Sequence, residues 1–374
     1  RNAMAFTLSE LRKAVREAVE PEAWADRLSM IADERQQIEQ FVDTGGQAYG
    51  FTTLFGHLDA IQREREAIAN LYRGHLVGNP EQLEPKIARG IIAVKLCQLS
   101  NGGTGISPAS YERLRAGFSS DLEDIRVDLR ASYGSGDVVP GAWLVDSLFR
   151  SFENLHRGDL MALINGSYMP TGVLLGAMDE LESVAARALG LVTEARSVSV
   201  QLQKQVDVQL PVSLRDLTPL QHALQHAQGQ LEAALLQAVN RQSGNPLFRF
   251  DDGAHPVSNS SFLDFQLTSA LSVAHEMLLV LAAYITSAIR WVSGLAETTA
   301  DELDRPLFVQ LPKVGKAYEN QLVSNIPRAE YSQVESMGVE DVSDSALRRV
   351  LDLKDALPLL DKISDLLSQA LRTM

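Results

Sequence analysis

Apolar residues recur every three or four positions along most of the chain, which is the spacing of one face of an α-helix. Alternating apolar and polar positions, the pattern of a strand, are confined to short pieces around 206–212 and 306–311, which are compatible with a minor hairpin or irregular connections. Several helical stretches exceed the mean globular helix of about 11–12 residues. The longest of them are 170–204, 216–242, 259–294 and 343–373.

Long apolar helices bury their stripes best against one another. The pattern therefore predicts a mainly α fold, an elongated bundle of long near-parallel helices. We expect one domain over 4–374, with residues 1–3 ahead of Met4 as a cloning remnant. Glycine-rich or polar loops interrupt the helices, and a loop-built active site is expected there because rigid elements position exposed loop backbone. These loops are 43–57, 99–107, 131–141, 164–172, 243–261 and 324–341.

Composition and charge narrow the functional classes. With 374 residues and 45% apolar content the chain can build a large core, and its net charge of −14 argues against nucleic-acid or anionic-membrane partners. The single Cys97 and the lack of a signal layout favour a cytoplasmic location. The most apolar run, 267–295, contains His275, Glu276 and Arg290, so a buried helix is expected rather than a membrane span.

General motif searches give little. His222 and His226 stand four apart, but the zinc-protease glutamate and a third ligand are missing, so we predict no metal site. The segment NGGTG at 101–105 lacks the lysine and Ser/Thr of a P-loop, and a helix end with a turn explains it.

Eight short blocks, taken in order, carry a stronger signal. The chain resembles the histidine, phenylalanine and tyrosine ammonia-lyase family, whose motifs YGxNTGFG, SHxxG, RxNxLxxGxSG, SVGASGD, LLNGT, PYSLR, NPLxF and QEDHVSMG occur in the same order. The corresponding blocks are YGFTTLFG at 49–56, HLVG at 75–78, KLCQLSNGGTG at 95–105, ASYGSGD at 131–137, LINGS at 163–167, PVSLR at 211–215, NPLF at 245–248 and VESMG at 334–338.

The resemblance implies a cofactor made from the chain. In the family, Ala-Ser-Gly cyclises with loss of two waters to an electrophilic methylidene-imidazolone, which turns the substrate's amine into a leaving group. Here the triad is Gly134-Ser135-Gly136. Ser135 can still dehydrate and Gly136 can still supply the attacking amide, while Gly134 adds backbone freedom that must be frozen first.

Other site residues are also implied by the resemblance. Tyr49 falls where the family keeps the tyrosine proposed as general base, Asn165 where an asparagine anchors substrate and cofactor, and Arg215 where a guanidinium grips the substrate carboxylate. His75 corresponds to the selectivity histidine of histidine lyases, or else caps a helix. Val212 replaces the tyrosine of YSLR and can neither donate a hydrogen bond nor carry a proton.

Further departures keep the reaction open. Leu263 replaces a family histidine, and Ser332 and Val334 stand where Glu and His are expected, although Glu330 or Glu335 could compensate after a small shift. Three functions follow: a carbon–nitrogen lyase or aminomutase on an aromatic or related amino acid, a cofactor-free enzyme that eliminates, isomerises or cyclises a specialised metabolite, and a non-catalytic homologue. The partners expected are a small-molecule substrate and further copies of the chain, in a tetramer or a dimer.

Overall fold

The computed structural model describes residues 5–52, 60–204, 209–325 and 331–374, with the side chains of 60–63 and 334 left out. The described residues are mainly helical, as predicted. The helices are α1 (Leu8–Glu17), α2 (Glu22–Asp26), α3 (Leu28–Asp43), α4 (Ala60–His75), α5 (Pro85–Ser100), α6 (Pro108–Phe118), α7 (Val138–Phe149), α8 (Asp159–Ile164), α9 (Tyr168–Gln203), α10 (Thr218–Val239), α11 (Phe265–Thr299), α12 (Arg305–Ser324) and α13 (Ala346–Thr373).

Strands are short and pair only as antiparallel hairpins or ribbons within the described parts of the chain. The pairs are β1 (Glu81–Gln82) with β2 (Arg126–Val127), β3 (Leu247–Arg249) with β4 (His255–Val257), and β5 (Ser332–Glu335) with β6 (Glu340–Val342). The third pair places Ser332 opposite Val342 and Glu335 opposite Glu340, with an irregular register between them.

The chain groups into two compact units, each assembled from three stretches. Unit 1 contains Arg1–Ala177, Glu232–Thr268 and Ala329–Val350. Unit 2 contains Met178–Leu231, Ser269–Arg328 and Leu351–Met374. The expectation of one domain over 4–374 stays a prediction.

In unit 1 the core is built around α5, which is buried on almost every side. Pro85 begins this helix, where a missing N–H costs nothing. The start of α9 lies against it backbone to backbone, since a Cβ on Gly90 would be 2.4 Å from the carbonyl oxygen of Gly172. This close contact fixes the loops at 101–107 and 164–167, which leave the ends of these helices.

A second apolar cluster holds the loop that carries Tyr49. Phe51 packs edge-on against Phe248, with ring centroids 5.1 Å apart, and the Arg35 guanidinium lies 5.4 Å from the Phe51 ring centroid. Ile38, Ala48 and Ala254 are the other buried members of the cluster. Burying these side chains anchors the backbone on both sides of residue 49.

Unit 2 is helical and contains α12 together with most of α9, α10, α11 and α13. Trp291 Nε1 donates to Ser199 Oγ at 3.0 Å. Arg187 bridges Asp361 and Asp365, each at 2.6 Å. Within it α11 is long and apolar enough to cross a membrane by length and composition, yet half of its most apolar window is buried in the protein, which a core helix also shows.

One sequence-based expectation about the elements is wrong. Residues 306–311, which alternate like a strand, form the start of α12. Pro306 sits in the first turn of this helix, where its fixed φ favours helix entry. The other piece, 206–212, lies partly outside the described residues.

Candidate active site at the turn of Gly134 to Gly136

The Gly134-Ser135-Gly136 turn precedes α7 and uses a backbone that favours glycine. Gly134 has φ +98° and Gly136 has φ +97°. A Cβ at position 134 would lie 2.9 Å from the backbone nitrogen of Ser345, a contact that real Cβ atoms essentially never make. The segment 344–345 therefore lies directly over the turn, and the Asp344 N–H donates to the Gly134 carbonyl at 2.9 Å.

Asn165 meets the turn from the other side. Its Oδ1 lies 3.5 Å from the place where a Cβ on Gly136 would be. The side chain is 6% exposed, and Oδ1 has no hydrogen-bond partner among the described residues. A buried acceptor of this kind is costly unless a donor meets it, so the site presents a carbonyl that suits a ligand N–H beside Gly136.

Lys95 of α5 holds the Asn165 segment in place. Its Nζ donates to the Asn165 backbone carbonyl at 2.8 Å and lies 4.6 Å from the ring centroid of Tyr168. Burial lowers the pKa of Lys95 to about 7. The lysine is thus a buried amine, partly neutral near pH 7, whose hydrogen bond fixes the backbone that carries the carboxamide.

Two phenols and one carboxylate gather on the solvent side of the turn. Tyr133 Oη donates to Glu340 Oε2 at 2.6 Å. Neighbouring protein atoms partly desolvate the Tyr49 phenol, and this desolvation, followed by the negative charge of Glu340, raises its pKa. A raised pKa opposes phenolate formation. Tyr49 can therefore act as a base near pH 7 only when its own phenolic proton is transferred to a neighbouring acceptor.

Three buried carboxyl groups lie close to the turn, those of Asp137, Asp264 and Asp344. Burial raises the pKa of Asp137 and of Asp344, and the charge of Asp137 raises the Asp344 pKa further. Asp137 accepts a hydrogen bond from Ser132 Oγ, and Asp344 Oδ2 accepts from the Asp264 N–H at 2.8 Å. Carboxyls this close share protons, so the pair is not fully ionised near pH 7.

The other predicted site residues are His75 of unit 1 and Val212 and Arg215 of unit 2. His75 ends α4, where its Nδ1 lies 2.7 Å from the Leu71 carbonyl, a contact that fits the helix-end alternative. Arg215 Nε donates to the Leu210 carbonyl at 2.8 Å, and Val212 is 73% exposed in a short 3-10 helix.

Several residues of the site carried no signal in the sequence. Glu330 lies outside the described residues, and the carboxylate bonded to Tyr133 is Glu340 rather than Glu335. The ring of Phe262, one position before Leu263, lies 3.7 Å from the position that a Cβ on residue 136 would occupy. A long-range contact such as Tyr133 to Glu340, 207 positions apart, leaves no local pattern.

The chain is similar to known proteins in sequence and in fold. The model of the family described as aromatic amino acid lyase matches residues 6–162. The histidine ammonia-lyase of Alkaliphilus metalliredigens is 27% identical over 165 residues, which are 42% of this chain and 32% of that protein. The matched part spans about a third to a half of the curated relatives' length.

Two solved structures share the fold of nearly the whole chain. The phenylalanine aminomutase of Pantoea agglomerans superposes with a TM-score of 0.77 at 14% identity, covering 99% of this chain and 89% of that one. The histidine ammonia-lyase from Trypanosoma cruzi gives 0.77 at 16% identity, covering 99% and 84%. The fold that the sequence blocks implied is thereby confirmed.

Proposed function

Because the aromatic amino acid lyase model matches residues 6–162 and the fold is that of an aminomutase and an ammonia-lyase, we propose that this chain is a member of that family and a carbon–nitrogen lyase or aminomutase acting on an aromatic or related amino acid. The reaction is centred on the Gly134-Ser135-Gly136 turn. Fold alone is compatible with several chemistries, so the proposal depends on the side chains that surround this turn.

One arrangement carries the proposal. The side-chain carbonyl oxygen of Asn165, Oδ1, has no partner among the described residues and faces Gly136, and the Glu340 carboxylate accepts a hydrogen bond from Tyr133, which precedes Gly134. Elimination of an amine needs a group that binds the amine and a group that accepts a carbon-bound proton. Asn165 Oδ1 suits the first task, and Tyr49 with Glu340 suits the second. All of these residues belong to unit 1.

The turn has the parts from which a methylidene-imidazolone is made. Ser135 carries the β-hydroxyl that must leave, Gly136 the amide nitrogen that must attack, and Gly134 the carbonyl that is attacked. The Asp344 N–H donates to that carbonyl at 2.9 Å and so polarises it toward attack. The cofactor, once formed, supplies an electrophile for the substrate's amine.

The chain's own residues do the remaining work. Asn165, fixed through Lys95, positions the amine beside the turn. Tyr49 and Glu340 take up the proton from carbon, the carboxylate acting as the acceptor that the high pKa of the phenol requires. Phe262 offers a ring surface next to Gly136, which suits an aromatic side chain.

Three further roles rest on the resemblance. Arg215 binds the substrate carboxylate, His75 contributes to selectivity, and Val212 lies beside the substrate as an apolar wall. We also propose a cytoplasmic homo-oligomer, a tetramer or a dimer, with no nucleic-acid or membrane partner.

The test combines turnover with mass. L-histidine, L-phenylalanine and L-tyrosine are each incubated with the protein, and the conjugated arylacrylate and the β-amino acid are measured. The mass of the tryptic peptide containing Gly134 to Gly136 is measured in parallel by mass spectrometry, with Ser135→Ala as the control that cannot dehydrate. We expect a product, a wild-type peptide lighter by two water molecules, and neither in the control.

Different outcomes separate the alternatives. Turnover with an uncyclised peptide would favour the cofactor-free enzyme over the route through the methylidene-imidazolone. Absence of both product and cyclisation leaves the non-catalytic homologue. Tyr49→Phe should abolish turnover with a nearly unchanged melting temperature, and undiminished turnover would remove Tyr49 from the mechanism.

A further inference from the structure

A buried carboxylate, that of Asp159, joins three segments of unit 1. Asp159 is fully buried and is the first residue of α8. Its Oδ1 accepts from the Ser107 N–H at 2.9 Å, and its Oδ2 accepts from the Ser107 and Ser110 hydroxyls at 2.6 Å each and from the His156 N–H at 3.0 Å. Arg35 of α3 lies 3.5 Å from Oδ1 through its Nη1. The carboxylate therefore connects α3, the start of α6 and the start of α8.

The partner Arg35 is buried as well. Its side chain donates from Nη1 to the Gly105 carbonyl and from Nε to Glu39 Oε1, each at 2.9 Å. A buried charge is costly unless it is paired and hydrogen-bonded, and both members of the Asp159–Arg35 pair meet these conditions. Removing one member would leave the other as an uncompensated buried charge. Any displacement of either residue therefore breaks hydrogen bonds inside the protein.

The loop that carries Tyr49 lies against this pair. A Cβ on Gly158, the residue before Asp159, would be 2.3 Å from the Phe51 ring, so the ring touches the backbone at the start of α8. The Arg35 guanidinium lies 5.4 Å from the centroid of the same ring. Phe51 is thus held from two sides, two positions after Tyr49.

Asn165 lies at the opposite end of α8. The helix has six residues, Asp159–Ile164, all of them buried, and Asn165 is its C-cap. Because an α-helix rises about 1.5 Å per residue, about 9 Å of helix connects Asp159 to Asn165. Anchoring the first residue of this helix therefore also fixes the carboxamide that faces Gly136.

We propose that Asp159 and Arg35 are positioning residues for the reaction. They place Tyr49 through Phe51, and they place Asn165 through α8. The assignment rests on the proposed function, and it requires no contact of either residue with the substrate. A proton acceptor and an amine-binding group work together only at a fixed separation, and a misplacement of about 1 Å can cost about 100-fold in rate.

Steady-state kinetics of the full chain test the assignment, with the amino acid that the wild type turns over fastest. In Asp159→Asn the amide NH2 must face a backbone N–H in either orientation, since one carboxylate oxygen accepts from the Ser107 N–H and the other from the His156 N–H. We expect kcat to fall by about 10- to 100-fold. Arg35→Met should lower kcat similarly, and Arg35→Lys by less, because lysine keeps the charge.

A matched control separates positioning from a general loss of stability. Ser199→Ala removes the buried acceptor of the Trp291 Nε1 hydrogen bond in unit 2. It should lower the melting temperature and leave kcat unchanged. Circular dichroism at the assay temperature confirms that each variant is folded. If Asp159→Asn does not fold, Arg35→Met and Arg35→Lys provide the same comparison.

Hydrogen exchange gives a second measurement, which does not depend on turnover. Asp159→Asn should speed amide exchange in 48–52 and in 160–166 together, by at least about 10-fold, the factor expected when a hydrogen bond to a charged group is lost. Ser199→Ala should leave exchange in both segments as in the wild type. Faster exchange in both segments would show that the pair couples the Tyr49 loop to α8.

Wild-type kcat in both Asp159→Asn and Arg35→Met, or faster exchange in only one of the two segments, would overturn the assignment. These outcomes differ from a failure of the proposed function. Faster exchange in both segments of a protein without turnover would remove the reaction and keep the coupling. Turnover that all the variants retain would remove the pair and keep the reaction.

Discussion

Gly134 is held as glycine by two separate constraints. Its φ of +98° disfavours a side chain, and a Cβ would also lie 2.9 Å from the Ser345 nitrogen. The family motif has alanine at this position, so the 344–345 segment and the glycine belong together in this chain. Restoring the alanine therefore cannot be treated as a repair of the motif.

We predict that Gly134→Ala destabilises the protein. The left-handed backbone costs about 1–2 kcal/mol, and the clash adds about 1–3 kcal/mol. Gly253→Ala is the matched control, because Gly253 has φ +86° and a Cβ added there would have no atom within 4 Å. Urea unfolding should show the larger loss for Gly134→Ala; equal losses would mean that the Ser345 contact costs nothing.

Lys95 gives stability a pH dependence whose sign follows from burial. Its pKa falls from 10.5 to about 7 in the folded chain. Between these values the unfolded chain binds more protons, so this group's contribution to stability rises with pH and is lost as pH falls through about 7. One proton corresponds to a slope of about 1.4 kcal/mol per pH unit.

We predict that Lys95→Met reduces the slope of the unfolding free energy against pH, between about pH 7 and 10, by up to about 1.4 kcal/mol per pH unit. Urea unfolding at several pH values measures it. Lys86→Met, on the exposed side of the same helix, is the control and should keep the wild-type slope. An unchanged slope in Lys95→Met would show that the amine keeps its ordinary pKa in the folded protein.

Among the elements, the contact of α5 with the start of α9 does most to place the site. A Cβ on Gly172 would be 2.3 Å from the Ile91 Cα, and one on Gly176 would be 2.6 Å from the Lys86 carbonyl oxygen. Both obstacles are backbone atoms, which cannot move aside as a side-chain end can. The glycines thus set the distance between the two helices, and with it the position of Asn165.

We predict that Gly172→Ala lowers the free energy of unfolding by at least about 1–3 kcal/mol through overpacking. Gly190→Ala, in the same helix α9 with open space around it, should be neutral or stabilising by up to about 1 kcal/mol. Thermal unfolding compares the two variants. A Gly172→Ala protein as stable as Gly190→Ala would contradict the close approach of the helices.

The long elements could be predicted from the sequence because their apolar period extends over many turns. The stretch 170–204 corresponds to α9, 216–242 to α10 and 343–373 to α13, each within three residues at either end. The β5–β6 pair fell inside a predicted loop, because strands of three or four residues are too short to show a period.

The candidate site was predictable only where a residue sits inside a recognisable block. The Gly134-Ser135-Gly136 turn and Asn165 were found through their blocks, and the structure brings Gly136 and Asn165 together. Lys95 was not assigned a role, since nothing in a sequence says that a lysine is buried. Glu340 was missed because its partner Tyr133 is far away in the chain.

At the scale of the whole molecule, exposed apolar side chains indicate where further copies of the chain could pack. On the hairpin of β5 and β6, Met337 is fully exposed and Val339 is 80% exposed. Both lie at the end of the segment that supplies Glu340 to the candidate site. Covering such side chains stabilises an assembly by about 25 cal/mol per Å² of apolar surface, and neighbouring exposed apolar residues mark interaction surfaces.

We predict that the protein is a homo-oligomer in which this hairpin tip is covered, so that light scattering gives a multiple of the single-chain mass. The double substitution Met337→Glu with Val339→Glu places two charges in the contact and should reduce the measured mass. Leu303→Glu, at an exposed position of unit 2, controls for added charge and should leave the mass unchanged. A single-chain mass for the wild type would contradict the assembly, and an unaltered oligomer in the double variant would move the contact away from the hairpin.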